Sequence, residues 1–295
     1  MKLPIDTSQF EVRGSFKLKK YSTKIDDLYA SKEEYENLLA QYRKEIDELQ
    51  TKMYAHNRYG LLLIFQAMDA AGKDGTIGHV MSGVNPFGVE IFDFKRPTEL
   101  EQEHDFLWRT SLKLPRRGTI TIFNRSYYEE VLVVKVHPEI LLQNERIPEE
   151  FTDDLDDVWK HRYEDINALE KYLHRNGIIV MKFFLNVSKK EQGKRLIERI
   201  NDLSKNWKFE EGDVKERGYW DDYMKAYEDA IQETSTKNAP WYVIPADDKK
   251  NMRLIVSKLI LEKLKTFKME FPEASEARQK ELKKLIATIE EQDKD

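Results

Sequence analysis

The 295 residues carry 54 acidic and 49 basic side chains, a net charge of −5, and are 40% hydrophobic with 11% aromatic, which excludes a disordered chain and a general nucleic-acid coat but leaves room for a local basic channel that holds a polyanion. There is no cysteine, which excludes disulfides and thiolate zinc sites and fits a reducing compartment. The opening MKLPIDTSQFEVRGSF lacks the apolar run of a secretory signal, and the apolar stretches 61–65 and 178–185 are too short to span a bilayer, so we expect a cytoplasmic protein with no membrane or nucleic-acid partner.

Residues 31–56 place Tyr35, Leu38, Leu39, Tyr42, Ile46 and Leu49 at helical spacing, which predicts one long amphipathic helix. The short apolar run 59–65 is the pattern of a central strand buried on both faces of a parallel sheet. A strand at 89–94, a helix at 99–112, a strand at 119–123 and a helix at 155–174 follow. Asn176-Gly177 ends that helix, 178–185 is another buried strand, and Ser188 with Glu191 three residues on opens the next helix. The last strand is at 241–244, the last core helix at 251–267, and 274–295 reads as a charged surface or partner helix. Short apolar strands alternating with helices predict a doubly wound α/β sheet. The expected division is 1–57 as an N-terminal arm and helix, 58–267 as the core, and 268–295 as the C-terminal helix.

Between the first core strand and its helix lies Ala67-Met68-Asp69-Ala70-Ala71-Gly72-Lys73-Asp74-Gly75-Thr76. A phosphate loop is commonly G-x-x-x-x-G-K-[ST]. Here Ala67 replaces the first glycine, and Asp74-Gly75-Thr76 replaces the residue after the lysine. The physical parts remain: small residues that let amides turn to one anion, a helix N-terminus, and the charge of Lys73. The alternative is an ordinary strand-to-helix turn with a surface lysine. A second constellation, Asn124-Arg125-Ser126-Tyr127-Tyr128-Glu129, follows the 119–123 strand. There Arg125 can offset charge on phosphates, while Tyr127 and Tyr128 read as packing residues. The six histidines show no metal-ligand spacing.

The phrases FQAMDAAGKDGTI, VNPFGV, HDFLWR, FNRSYYE, MKFFLNVSKKEQ, NWKF and STKNAPWYVIPADDK, in order over about residues 60–250, resemble the successive blocks of family-2 polyphosphate kinases. The resemblance implies a thymidylate-kinase-like P-loop kinase fold with a helical lid. It also implies Mg²⁺ dependence, reversible transfer between inorganic polyphosphate and nucleotides (AMP, ADP and ATP), and a homo-oligomer. Carried over by position, Lys73 matches the loop lysine and Asp69 the aspartate used with the metal and the acceptor. Ala71, Gly72, Asp74, Gly75 and Thr76 complete the phosphate loop. Asn85 and Pro86 join Asn124 and Arg125 on the nucleotide side. Many members carry Asp where Asn124 stands, which shifts metal ligation toward Asp69 and water. Asn124 and Glu129 resemble the branch that accepts both mono- and diphosphates.

Residues 194–217 crowd Lys194, Arg195, Arg199, Lys205 and Lys208 near one another. The family match makes about 194–218 a mobile lid, with Arg195, Arg199 and Lys208 on polyphosphate. By charge pattern alone it equals a solvated helix face. Two other functions stay open: an ATP-dependent nucleotide kinase on the same fold, and a catalytically silent binding module.

Overall fold

The computed structural model describes residues 5–293. Five parallel strands, β1 (Gly60–Gln66), β2 (Val89–Asp93), β3 (Ile120–Asn124), β4 (Ile178–Asn186) and β5 (Trp241–Pro245), form one sheet in the order β2-β3-β1-β4-β5. We number the helices of eight residues or more α1 (Lys32–His56), α2 (Lys73–Val80), α3 (Leu155–Arg175), α4 (Lys189–Asn201), α5 (Glu211–Gly218), α6 (Trp220–Thr234), α7 (Lys249–Lys265) and α8 (Glu276–Gln292). Every residue of β1, β3 and β5 is buried, so helices cover both faces, as the unbroken apolar runs require. The edge strand β2 is half-exposed. α7 packs on α1, α2 and β5, while α3 lies on β4 with α6 against it.

Local chemistry sets the ends of these elements. Ser31 accepts from Glu34 N at the start of α1, and Ser188 accepts from Glu191 N at the start of α4. Glu191 does not complete a capping box; its carboxylate goes to Arg195 and the Ser188 amide goes to Asp247. Gly177, at φ 76°, turns the chain out of α3. The arm before α1 contributes Phe10, Val12 and Phe16 to the main core, and Val12 N reaches Trp241 O on β5 at 2.8 Å.

The helix expected at 99–112 is two single turns, Glu99–Gln102 and Trp108–Ser111. Asp105 breaks it: its side chain accepts from Leu107 N at 2.9 Å, and its carbonyl accepts from Trp108 N, an Asx turn that outcompetes helical bonding. α6 escaped the sequence reading, although Trp220, Tyr223, Tyr227 and Ile231 recur at helical spacing and are buried.

The strand order fixes where chemistry can sit. The chain leaves β1 toward β2 and β3, then crosses back to β4 beyond β1. Connections diverge at the carboxyl ends of β1 and β3, which opens a crevice there. Phe65 and Asn124 are register partners at that point.

Candidate active site

The crevice holds the loop 67–76 and the turn after β3, and both are bent into unusual backbone. Ala70 at φ 58° and Arg125 at φ 63° are non-glycine residues in the left-handed region, a local cost that folds sustain where position matters. Gly72 sits at φ 106°, and a Cβ there would also meet Met252 at 3.3 Å. Arg125 N donates to Phe65 O at 3.0 Å, locking the turn against β1. The turn aims the Arg125 guanidinium at Asp69, with Nη2 to Oδ1 at 2.9 Å.

Lys73 opens α2 and is buried, with Nζ donating to Ala67 O at 2.8 Å. An ammonium has three donors, so two stay available to an anion. Burial and then the charge of Arg125 pull the Lys73 pKa down; Asp69, Glu129 and Asp74 oppose that. The amides of the first turn of α2 have no partner within the helix. Asp74 accepts from Asn124 Nδ2 at 3.0 Å and faces Lys208 Nζ at 3.6 Å. Glu129 is raised by burial, which outweighs the pull of Arg125 and Lys73. For Arg125 burial works against the charge, but Glu129 and Asp69 outweigh it and the pKa rises.

Two clefts meet here. The larger, about 1230 Å³, runs from the phosphate loop to the segment after α4 and is lined by Lys73, Arg199, Lys205, Lys208, Lys249 and Arg253 among others. The smaller, about 540 Å³, is walled by Phe94, Phe106, Tyr223 and Tyr227 with Glu129, Glu130 and His137. Asp69, Lys95, Arg96, Arg125, Glu210 and Asp213 line both.

Most of the residues singled out from sequence gather at this junction, but several do not. Asn85 and Pro86 precede β2, at the opposite end of the sheet from the crevice. Asn85 is exposed, takes Asp47 through its amide and caps a turn by accepting from Phe87 N; neither residue lines a cleft. Thr76 is fully buried, its hydroxyl spent on Gly72 O at 2.9 Å. Ala71 is also buried, with its amide on Met68 O and its carbonyl accepting from Arg195.

Arg195 is not a free cation. Its guanidinium donates to Ala70 O, Ala71 O, Ala246 O, Asp247 O and the Glu191 carboxylate, which uses all five donors to pin the phosphate loop to the end of β5. Lys194 points to solvent beside Glu198. Arg199 and Lys208 do face the larger cleft, with Arg199 on Asp213 at 3.1 Å.

Sequence reasoning also missed residues that the fold brings in. Lys95 and Arg96 stand between the clefts because Arg109 Nη1 donates to Lys95 O at 2.7 Å. Arg109 and Arg162 flank the buried Glu130 at 3.6 Å each. The signal available was the run Phe94-Lys95-Arg96-Pro97 directly after a strand. His137, one of the histidines with no ligand spacing, lies between Glu139 at 3.4 Å and Glu216 of α5 at 2.8 Å. Tyr127 and Tyr128 pack as expected, with both hydroxyls on the buried Glu170.

A parallel sheet in this order, a lysine-bearing loop at a helix N-terminus beside the central strand, and an arginine after the neighbouring strand define a P-loop kinase, a phosphotransferase class. The model of the polyphosphate kinase 2 family matches residues 29–272. The chain belongs to that family. It is 53% identical over 284 residues to an ADP-polyphosphate phosphotransferase of Rhodopseudomonas palustris, covering 95% of this chain and 97% of that protein. It is 42% identical over 270 residues to an AMP/ADP-polyphosphate phosphotransferase of Meiothermus ruber, covering 90% and 95%. The crystal structure of polyphosphate kinase 2 from Arthrobacter aurescens superposes with a TM-score of 0.83 at 38% identity, over 93% of this chain and 95% of that one. Among the described residues no helix is long and apolar enough to cross a membrane.

Proposed function

We propose that the chain moves a phosphoryl group between inorganic polyphosphate, held in the larger cleft, and AMP or ADP, held in the smaller one. The observation that carries this reading is that two clefts of different character open onto one Asp69–Arg125 pair. The attacking oxygen belongs to the acceptor's terminal phosphate and is already anionic, so no general base is required. It bonds to the terminal phosphorus of polyphosphate as the bond from that phosphorus to the next bridging oxygen breaks, and the shortened chain keeps the electron pair. The task is placement and charge neutralisation. Lys73 and the first-turn amides of α2 take the phosphoryl in flight, and Arg125 spans to the acceptor. Lys205 and Lys208 hold the rest of the chain. The rings of Phe106 and Tyr223 suit a nucleobase.

The site suits Mg²⁺. Among the described residues no three acidic or histidine side chains form a ready cage, but Mg²⁺ commonly takes one or two carboxylates and keeps several waters. Asp69 supplies a carboxylate at the junction, and the buried Asn124 Oδ1 has no protein partner, leaving an acceptor for a metal-bound water. When bound, the ion neutralises charge on the phosphate oxygens.

The test is purified protein with Mg²⁺, polyphosphate and either AMP or ADP, with no ATP added. Formation of ADP and ATP from AMP, and of ATP from ADP, is the expected result. Transfer to AMP only when ATP is the donor would replace this reading with an ATP-dependent nucleotide kinase. No transfer with either donor would leave a binding module.

A further inference from the structure

Lys182 is out of place in its strand. It stands in the middle of β4 between Met181 and Phe183. It is fully buried, as is Glu170 of α3, whose carboxylate takes the ammonium at 2.6 Å. Burial works against both charges, lowering the Lys182 pKa and raising that of Glu170. An ion pair withdrawn from water in this way is a weak source of stability, since apolar residues of like volume serve as well. Neither residue lines either cleft. What the pair does hold is the middle of the turn after β3. The Tyr127 and Tyr128 hydroxyls donate to Glu170 Oε1 at 3.0 and 2.8 Å. Lys182 Nζ donates to the Tyr128 hydroxyl at 2.9 Å and to Thr234 O, at the end of α6, at 2.7 Å. With Glu170, that engages all three ammonium donors.

We propose that the Glu170–Lys182 pair is a positioning device that fixes, through the two tyrosine hydroxyls, where Arg125 and Glu129 stand in the site. Ser126, Tyr127 and Tyr128 are all that separates those two residues. Arg125 is held at φ 63°, a backbone conformation that persists only where its surroundings fix it. The turn has ties at its ends: Arg125 N on Phe65 O, Gln66 Nε2 on the Ser126 hydroxyl, and Arg162 Nη1 on Glu130 O. Tyr128 N and Glu129 N bond within the turn, to Ser126, so the rings and their hydroxyls set its middle. A fully satisfied buried network of this kind specifies one arrangement rather than adding to stability. The same lysine ties the turn to α6. Arg125 and Glu129 on the turn, and Tyr223 and Tyr227 on α6, all line the smaller cleft. The consequence for substrates rests on the acceptor being held there.

The test variant is Tyr127→Phe with Tyr128→Phe in the full chain, which keeps both rings and the charged pair and removes the two hydroxyls. Hydrogen–deuterium exchange should rise at residues 125–131 and stay at the wild-type level at 67–76. Calorimetry with Mg²⁺ should show ADP bound about fivefold more weakly, the scale of one misplaced polar contact, and polyphosphate within about twofold of wild type. A dissociation constant does not depend on the fraction of molecules folded, so partial misfolding cannot mimic that split. Tyr127→Phe alone leaves the three Lys182 bonds in place and should move both readouts in the same direction by less. Unchanged exchange at 125–131, a rise spread equally over 67–76, or both affinities unchanged would overturn the proposal. A confined rise in exchange with polyphosphate rather than ADP weakened would uphold the positioning and overturn the acceptor's assignment to the smaller cleft.

Discussion

Ten lysines and arginines face seven carboxylates around the larger cleft, whereas five face ten around the smaller. The two are neighbours that share Asp69 and Arg125, so the difference comes from the elements each draws on. The larger cleft is built from helix beginnings and the basic stretch after α4. The smaller is built from the acidic turn after β3, the two broken turns at 99–111, and α5 and α6. On a chain of net charge −5, the concentration of cations is local, and it suits the larger cleft to the polyanion proposed for it. The acidic, ring-lined cleft suits a neutral base and a cation-loaded phosphate end. On the proposed assignment, one chain keeps two anionic substrates apart by giving them differently charged rooms with a single shared wall.

The largest effect is expected beside that wall, at the lysine of the phosphate loop in the larger cleft. Lys73→Ala should lower kcat by about 10³-fold, the scale of removing a charge aimed at the transition state, with the circular dichroism spectrum unchanged. Near-normal turnover would remove the phosphate loop from the chemistry.

A smaller effect probes the dry, acidic floor of the second cleft. Glu130 is pushed up to about 7, first by burial and then by Glu145, against the pull of Arg162 and Arg109. A carboxyl raised on folding adds stability that is full below about pH 4.5 and is lost as pH rises toward the folded value. Glutamine cannot titrate, so the stability of wild type minus that of Glu130→Gln should fall by about 3 kcal/mol between pH 4.5 and 7, at about 1.4 kcal/mol per unit. Denaturant melts at several pH values measure it, and a flat difference would contradict the burial argument.

Smaller still is the expected effect of Glu129→Asn. Glu129 lines only the smaller cleft yet interacts with Arg125 and Lys73. The substitution should change the AMP-to-ADP ratio of kcat/KM by about three- to tenfold, the worth of roughly one polar contact. An unchanged ratio would leave Glu129 as a first-turn acid only.

Much of the first cleft was legible in sequence because its parts are contiguous. The loop 67–76 follows an apolar strand and Arg125 follows the next buried one, so the alternating pattern with the phosphate-loop motif put Lys73 and Arg125 at the same end of the sheet, while Asp69 was singled out by the family resemblance. Direction along a strand also explains the failure at Asn85 and Pro86, which stand before β2 while the crevice lies after it. Arg195 misled for another reason. Composition displays a charge but not whether backbone carbonyls consume it, and here they take four of the five donors. The second cleft was nearly invisible, since Phe106, Glu130, His137 and Tyr223 come from four separate segments that only the packing of α3, α5 and α6 unites. Asp105 hid one of those segments inside a helical pattern that its own side chain breaks.

The central claim is that the two clefts divide the substrates by charge, and steady-state kinetics with each substrate varied separately tests it most directly. In Lys205→Gln with Lys208→Gln, the KM for long polyphosphate should rise severalfold and its dependence on salt should flatten, because fewer counterions are released on binding. The KM for ADP should stay within twofold of wild type. A rise in the KM for ADP equal to that for polyphosphate, or a salt slope unchanged by loss of both lysines, would contradict the division.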